Sequence, residues 1–230
     1  MIDNVYLMVI APHPDDPEFA IGGTVARLAR EGKKVVYVVC TNGDKGTSDR
    51  SLTPEKLVKI RQKEQKAAAK VLGVSEVVFL GFPDQGLEDN HEFRKALVRV
   101  IRQYKPVVVA TADPYRRYMW HRDHRITGQV AADAVFPYAR DHLSYPDLLE
   151  EGLEPHKARE MWFWAADEPN LRMDVTDTFA TKLVALRCHE SQVGDVPPEM
   201  EARLREWAKL NAAGESFELG EAFYRIEMRY

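Results

Sequence analysis

Hydrophobic residues in this chain follow two alternating rhythms. Val5-Tyr-Leu-Met-Val-Ile10, Lys34-Val-Val-Tyr-Val-Val-Cys40, Glu76-Val-Val-Phe-Leu80 and Val107-Val-Val-Ala-Thr111 are short, β-branched-rich runs, apolar at consecutive positions. That pattern fits strands covered on both faces, as in a parallel sheet. Between the runs, apolar residues recur at helical spacing. Ile21, Val25 and Leu28 mark a helix beginning at about Glu18, and Gly22-Gly23 near its start would let it approach the strand closely. Thr53-Pro-Glu opens a second helix with an N-cap, a proline at the first position and an acid in the first turn. Its stripe runs Leu57, Ile60, Glu64, Ala68, Val71, so a carboxylate interrupts it. Further helices are expected over 92–104 and from about Asp123 through Ile126, Val130 and Val135. The alternation predicts an α/β fold, Rossmann-like, with a mostly parallel sheet and helices on both faces.

Past residue 135 the rhythm weakens. The stretch 136–157 carries Pro137, Pro146 and Pro155 with little periodicity, and reads as an irregular excursion within a single domain spanning 1–230. Met161-Trp-Phe-Trp-Ala165 predicts a strand whose aromatic residues serve the core or a subunit contact. A helix over 176–188 with Phe179, Leu183 and Leu186 on one face, a final amphipathic helix over 200–210 and a closing strand over 221–228 complete the expectation.

Composition narrows the function classes. The net charge of −4 comes from 32 basic and 36 acidic side chains spread along 230 residues, so no polyanion-binding surface is expected and nucleic acid is disfavoured as a partner. No run approaches the roughly 18–20 apolar residues needed to span a bilayer, and a cytoplasmic location without membrane association is the expectation. Cys40 and Cys188 have no metal-type neighbours and read as buried, reduced thiols.

The chemistry concentrates in Ala11-Pro-His-Pro-Asp-Asp-Pro-Glu-Phe-Ala-Ile-Gly-Gly23, which holds one imidazole, three carboxylates and three prolines directly after the first apolar run. Prolines stiffen the turn and delay the helix, presenting His13, Asp15 and Asp16 at the carboxyl end of a strand, where open α/β sheets place ligands. An Asx-rich turn that caps the helix is the plainer alternative, but a cap needs one carboxylate, not two beside an imidazole. His121-Arg-Asp-His124 forms a second cluster, again after an apolar run, with two histidines one turn apart at a helix start. Nitrogen and oxygen donors of this kind suit zinc, and three protein ligands with one open position is the catalytic pattern. The glycines do not match G-x-G-x-x-G, and an acidic turn repels a pyrophosphate, so dinucleotide binding is disfavoured. A structural zinc site would be closed and usually contain cysteine; a two-metal phosphoesterase would bring more carboxylates.

His13-Pro-Asp-Asp16 with Glu18 and Gly22-Gly23, followed by His121-x-Asp-His124, resembles the LmbE-like (PIG-L) zinc-dependent N-deacetylases. The resemblance extends to Arg61-x-x-Glu64, Leu72-Gly73 and His189-Glu-Ser-Gln192, and so spans most of the chain. It implies one zinc per chain held by His13, Asp16 and His124, with Asp15 as general base. It also implies His121 as oxyanion stabiliser or acid, and Asp123 as the partner that fixes an imidazole tautomer. On spacing alone Asp15 and Asp16 could exchange roles; an extended turn would point them in opposite directions. Arg61, held toward the site by Glu64, is expected to bind substrate, with Gln192 and His189 as further contacts and the loop 41–52 as a candidate substrate loop. Arg122 stands where the commonest family pattern has proline and would add a cation near the site mouth. No second carboxylate cluster for another ion is apparent. The implied reaction is removal of the N-acetyl group from an N-acetylglucosamine-type sugar or conjugate; the alternative is a zinc-dependent deacylase or amidase acting on a non-sugar small molecule. Expected partners are the amino-sugar substrate and further copies of the chain in a homo-oligomer.

Overall fold

A computed structural model describes residues 4–194 and 196–229. Seven strands form one sheet: β1 (Val5–Ala11), β2 (Lys34–Thr41), β3 (Glu76–Phe82), β4 (Val108–Ala112), β5 (Glu160–Trp164), β6 (Leu171–Asp174) and β7 (Gly220–Glu227). Their order is β3-β2-β1-β4-β5-β7-β6. β1 to β5 run parallel, whereas β7 pairs antiparallel with β5 and β6 pairs antiparallel with β7. The consecutive apolar runs have the expected cause, since alternate residues of β1 enter different cores. Met8 and Ile10 pack with Val98, Ile101 and Val130 on one face; Leu7 and Val9 pack with Ile21, Val25 and Leu72 on the other.

The helices are α1 (Asp16–Arg30), α2 (Pro54–Leu72), α3 (His91–Tyr104), α4 (Arg122–Val135), α5 (Pro146–Glu150), α6 (Phe179–Leu186) and α7 (Pro198–Asn211). The two cores place α1 and α2 on one face and α3 and α4 on the other. Because β1 connects outward to β2 and β3 while β4 connects outward to β5, the crevice past the carboxyl ends of β1 and β4 is the topological switch point, the usual ligand position in such sheets. Close packing brings α4 there: a Cβ on Gly128 would lie 2.2 Å from the Ala112 carbonyl oxygen, so only glycine lets this helix rest against the end of β4.

Several local expectations need correction. The glycine pair of α1 does not serve contact with β1. A Cβ on Gly23 would meet Val175 at 2.8 Å, and one on Gly22 would meet Lys182 at 3.3 Å, so the pair admits the segment after β6 and α6 instead. The buried face of α2 is Leu57, Arg61, Gln65, Ala68 and Leu72; Val71 is exposed. The region 136–157 contains a 3₁₀ turn (Tyr138–Arg140) and α5, pinned by the fully buried Arg102, which donates to the carbonyls of Tyr138, Ala139, Asp141 and Ser144. α6 starts at Phe179, because Asp174 Oδ1 accepts from the Thr176 amide and holds 174–176 in a turn. Cys40 is buried as expected, but Cys188 is only half-buried. No described helix is long and apolar enough to cross a membrane.

Candidate active site

The turn between β1 and α1 is built around a strained residue. Asp15, the N-cap of α1, has φ 92° and ψ −33°, a conformation that costs a non-glycine residue about 1–3 kcal/mol. Groups from α2 hold it there. The Asp15 amide donates to Gln65 Oε1 at 2.9 Å, and Arg61 Nη2 donates to the Pro14 carbonyl at 2.8 Å. The turn is therefore not extended; the reversal at Asp15 is what separates the two carboxylates. The Asp15 side chain makes no capping hydrogen bond, and its nearest charged partner is Arg61 Nη2 at 3.4 Å. The Asp16 carboxylate accepts from the His13 amide at 2.9 Å through Oδ2, which lies 3.0 Å from His13 Nδ1, while Oδ1 lies 3.4 Å from His124 Nε2.

His121 caps α4, its Nδ1 accepting from the Asp123 amide at 3.2 Å, and His124 sits in the first turn. The centroids of the His13, His121 and His124 rings lie 4.6–5.3 Å apart. Asp123 is fully buried and faces His13 Nε2 at 3.2 Å, so His13 is the imidazole it orients. Asp84 Oδ1 stands 3.2 Å from the same nitrogen. With the Nε2 proton directed at these two carboxylates, Nδ1 faces Asp16. Asp84 carried no sequence signal beyond its place in the loop after β3; that loop also supplies the amides of Gln85 and Leu87, which donate to Asp123 at 2.7 and 3.4 Å.

The electrostatics call for a cation. Burial alone would depress the His13 pKa, but hydrogen bonds to Asp123, Asp16 and Asp84 outweigh it and raise it to about 11. Burial would raise Asp16, yet His124 and His13 hold it down at about 2. Burial, reinforced by the neighbouring His13 and His121 rings, lowers His124 despite Asp16, favouring the neutral form. Asp15 differs from its neighbour: burial first and then the Asp16 charge push it up to about 7, against the pull of Arg61. A carboxylate with that pKa exchanges a proton near neutral pH.

The donor set fits a metal ion such as zinc. His13 Nδ1, the Asp16 carboxylate and His124 Nε2 lie together, all nitrogen or oxygen, and a dication there would relieve the excess negative charge. The groupings whose donor atoms all lie within 4.8 Å of one another are the three histidines, and His13 with Asp84 and Asp123, whereas the set with Asp16 meets pairwise through its two carboxylate oxygens. The grouping with Asp84 and Asp123 corrects the expectation that no further carboxylate cluster exists. Both its carboxylates share one nitrogen of His13, and Asp123 already accepts two backbone amides, which makes it a frame for the imidazole. His121 is exposed at the helix start, with Nδ1 engaged by the Asp123 amide.

The outer residues fall differently from expectation. Glu64 does not hold Arg61: its carboxylate accepts from the Ser191 amide (2.8 Å) and hydroxyl (2.7 Å), tying α2 to the 189–194 segment. Arg61 is 4% exposed and, besides the Pro14 carbonyl, donates to those of Gly43 and Lys45, so it clamps the 41–52 loop against the catalytic turn. His189 is not a substrate contact. It is fully buried, with Nε2 3.0 Å from Glu18 Oε2, and Glu18 in turn accepts from Gln65, the residue that holds the Asp15 amide. Gln192 does line a cavity of about 170 Å³ shared with His13, Asp15, Arg61, Asp84 and His121. Arg122 donates to the Leu87 carbonyl. On the other side of the cluster, Asp16 and His124 form part of the wall of a cavity of about 690 Å³.

The chain resembles known proteins in both sequence and fold. The profile of the PIG-L family, described as GlcNAc-PI de-N-acetylase, matches residues 8–135. Diacetylchitobiose deacetylase of Thermococcus kodakarensis is 37% identical over 186 residues, covering 81% of this chain and 69% of that protein. The crystal structure of N,N'-diacetylchitobiose deacetylase from Pyrococcus horikoshii, with an inhibitor bound, superposes with a TM-score of 0.90 at 33% identity, covering 96% of this chain and 84% of that one. A 4-carboxy-2-hydroxymuconate hydratase from Pseudomonas putida shares the fold (TM-score 0.82) at 20% identity, covering 98% of each chain. The fold therefore carries more than one chemistry, and the reaction must be argued from the site.

Proposed function

We propose that this chain, which belongs to the PIG-L family, is a zinc-dependent hydrolase that removes the N-acetyl group from an N-acetylglucosamine-type sugar or sugar conjugate. The observation that carries the reading is the strained turn at Asp15. It gives adjacent carboxylates opposite characters, one low in pKa between two histidines and one poised at about 7 beside an open cavity. His13, Asp16 and His124 would hold the ion. When bound, zinc supplies Lewis acidity, which makes hydrolytic water available near neutral pH. Asp15 takes the proton of the attacking water and returns it to the leaving amine, so its carboxylate serves as base and then as acid. His121, at the amino end of α4, donates to the amide oxygen as charge develops on it. Asp123 and Asp84 keep His13 oriented from behind, and the Arg61 clamp keeps the 41–52 loop over the small polar cavity, where sugar hydroxyls meet Lys45, Asp84 and Gln192.

The test is acetate release from N-acetylglucosamine and di-N-acetylchitobiose, set against an acetyl-lysine peptide, by protein stripped with chelator and reloaded with zinc. Sugar-selective activity that returns with zinc is the expected result. Equal activity on the peptide, or activity indifferent to the chelator, contradicts the reading.

A further inference from the structure

The cavity of about 690 Å³ is far larger than an acetyl group requires and falls within the roughly 300–1,000 Å³ typical of pockets for whole small molecules. Its wall includes Asp16 and His124, so it opens onto the reacting centre rather than lying apart from it. The remaining wall is dominated by apolar side chains: Phe19 and Ala20 from α1, Met119 from the loop before α4, Trp164 at the end of β5, and Leu204 and Trp207 from α7. The exposed Arg116 and Arg203 also border it.

The two cavities assign the two halves of an amide substrate. Asp15, which must reach the leaving amine, lines the small polar cavity, together with His121, Arg61 and Asp84, and not the apolar one. An amine carrying a sugar therefore lies on that side. The third substituent of the carbonyl carbon, the alkyl part of the acyl group, must leave the centre in another direction, and the open direction past Asp16 and His124 leads into the apolar cavity.

We propose that this cavity is an acyl-chain subsite, and that the enzyme binds and hydrolyses N-acylglucosamines with chains well beyond acetyl. The proposal rests on the deacetylase reading and extends its substrate class. The covalent step is the same hydrolysis: the amide C–N bond breaks, a C–O bond to the water oxygen forms, the water protons pass to the amine, and a linear carboxylate replaces acetate. An aglycone or second sugar ring would instead extend from the Asp15 side.

Binding to the chelator-treated protein, which cannot turn over, provides the test. Calorimetric titration compares N-hexanoylglucosamine with N-acetylglucosamine. Each buried methylene is worth about 0.8 kcal/mol, or about fourfold, so four added methylenes set a ceiling of about two hundredfold. We expect at least tenfold tighter binding of the hexanoyl compound. Ala20→Phe, which fills the cavity, and Trp207→Ala, which removes a half-exposed wall residue, should each reduce that preference at least fivefold, with thermal melting verifying that both variants fold. In the zinc-loaded enzyme, kcat/KM for the hexanoyl sugar should equal or exceed that for the acetyl sugar. Equal binding of the two sugars, or a preference unmoved in both variants, overturns the subsite. Hydrolysis of the acetyl sugar without the hexanoyl one also overturns it and leaves the deacetylase reading intact, whereas hydrolysis of neither overturns both.

Discussion

Residues 4–135 and residues 136–229 meet at the same site but do different work there. The first part supplies every group proposed to touch the ion or move a proton, on turns after β1 and β4 and at the start of α4. The second part supplies none of these; it braces α1 and α2 from behind. His189 reaches Glu18, and Ser191 engages Glu64. The Lys182–Glu221 pair is buried at 2.6 Å, with Glu221 also accepting from the amides of Gly23 and Thr24 and Lys182 donating to the Phe19 carbonyl. The contrast teaches that the strain at Asp15 is sustained from a distance. A turn this costly needs α1 and α2 fixed, and the fixing groups are buried and charged because they must satisfy helix amides and carbonyls.

The comparison can be broken most severely in the first part. His13→Ala combined with His124→Ala should leave the fold but reduce both metal content and turnover to background, checked by metal analysis and acetate release. Retained metal would remove both from the ligand set. In the second part, Lys182→Met should destabilise by about 3–5 kcal/mol, the cost of leaving Glu221 buried and unpaired, read by denaturant unfolding. Adding Glu221→Gln should recover part of that loss. If turnover per folded molecule falls as far as stability does, the two parts are not divided as described.

Arg61→Ala sharpens the boundary between clamp and catalysis. Losing its charged hydrogen bonds should cost about 1.5–3 kcal/mol of stability or of loop order. Arg61 also pulls the Asp15 pKa down, so its removal raises that pKa. A base works deprotonated, and the acidic limb of the pH–rate profile should move to higher pH; a limb that stays still would mean Arg61 only positions the loop. The smallest effect runs the other way. Asp15→Gly relieves the positive φ and a buried carboxylate, and should stabilise by about 1 kcal/mol, raising Tm by roughly 2–4 °C, in a protein without turnover.

Legibility followed the same division. β1 to β4 were readable because both faces of each strand are covered, and the two metal-type clusters were readable because a histidine beside aspartates after an apolar run has few other uses. The buried face of α2 was misread by one residue, since Arg61 and Gln65 are buried for the sake of the turn and periodicity counts only apolar residues. Asp84 was missed because its role comes from the spatial convergence of a loop, which spacing does not encode. β6 was missed because four half-buried residues at a sheet edge carry no strand pattern. His189 and Glu64 stand out in the sequence but their partners do not, because a sequence shows that a polar residue sits near an apolar stripe and not what it meets there.

The central claim is that one strained turn makes Asp16 a ligand and Asp15 a base. Zinc content and turnover, measured together in Asp15→Asn and Asp16→Ala, test it directly. Asp15→Asn should keep about one zinc per chain and lose roughly 10²–10⁴-fold in kcat, while Asp16→Ala should lose both metal and turnover. Metal lost from Asp15→Asn and kept by Asp16→Ala would contradict the account.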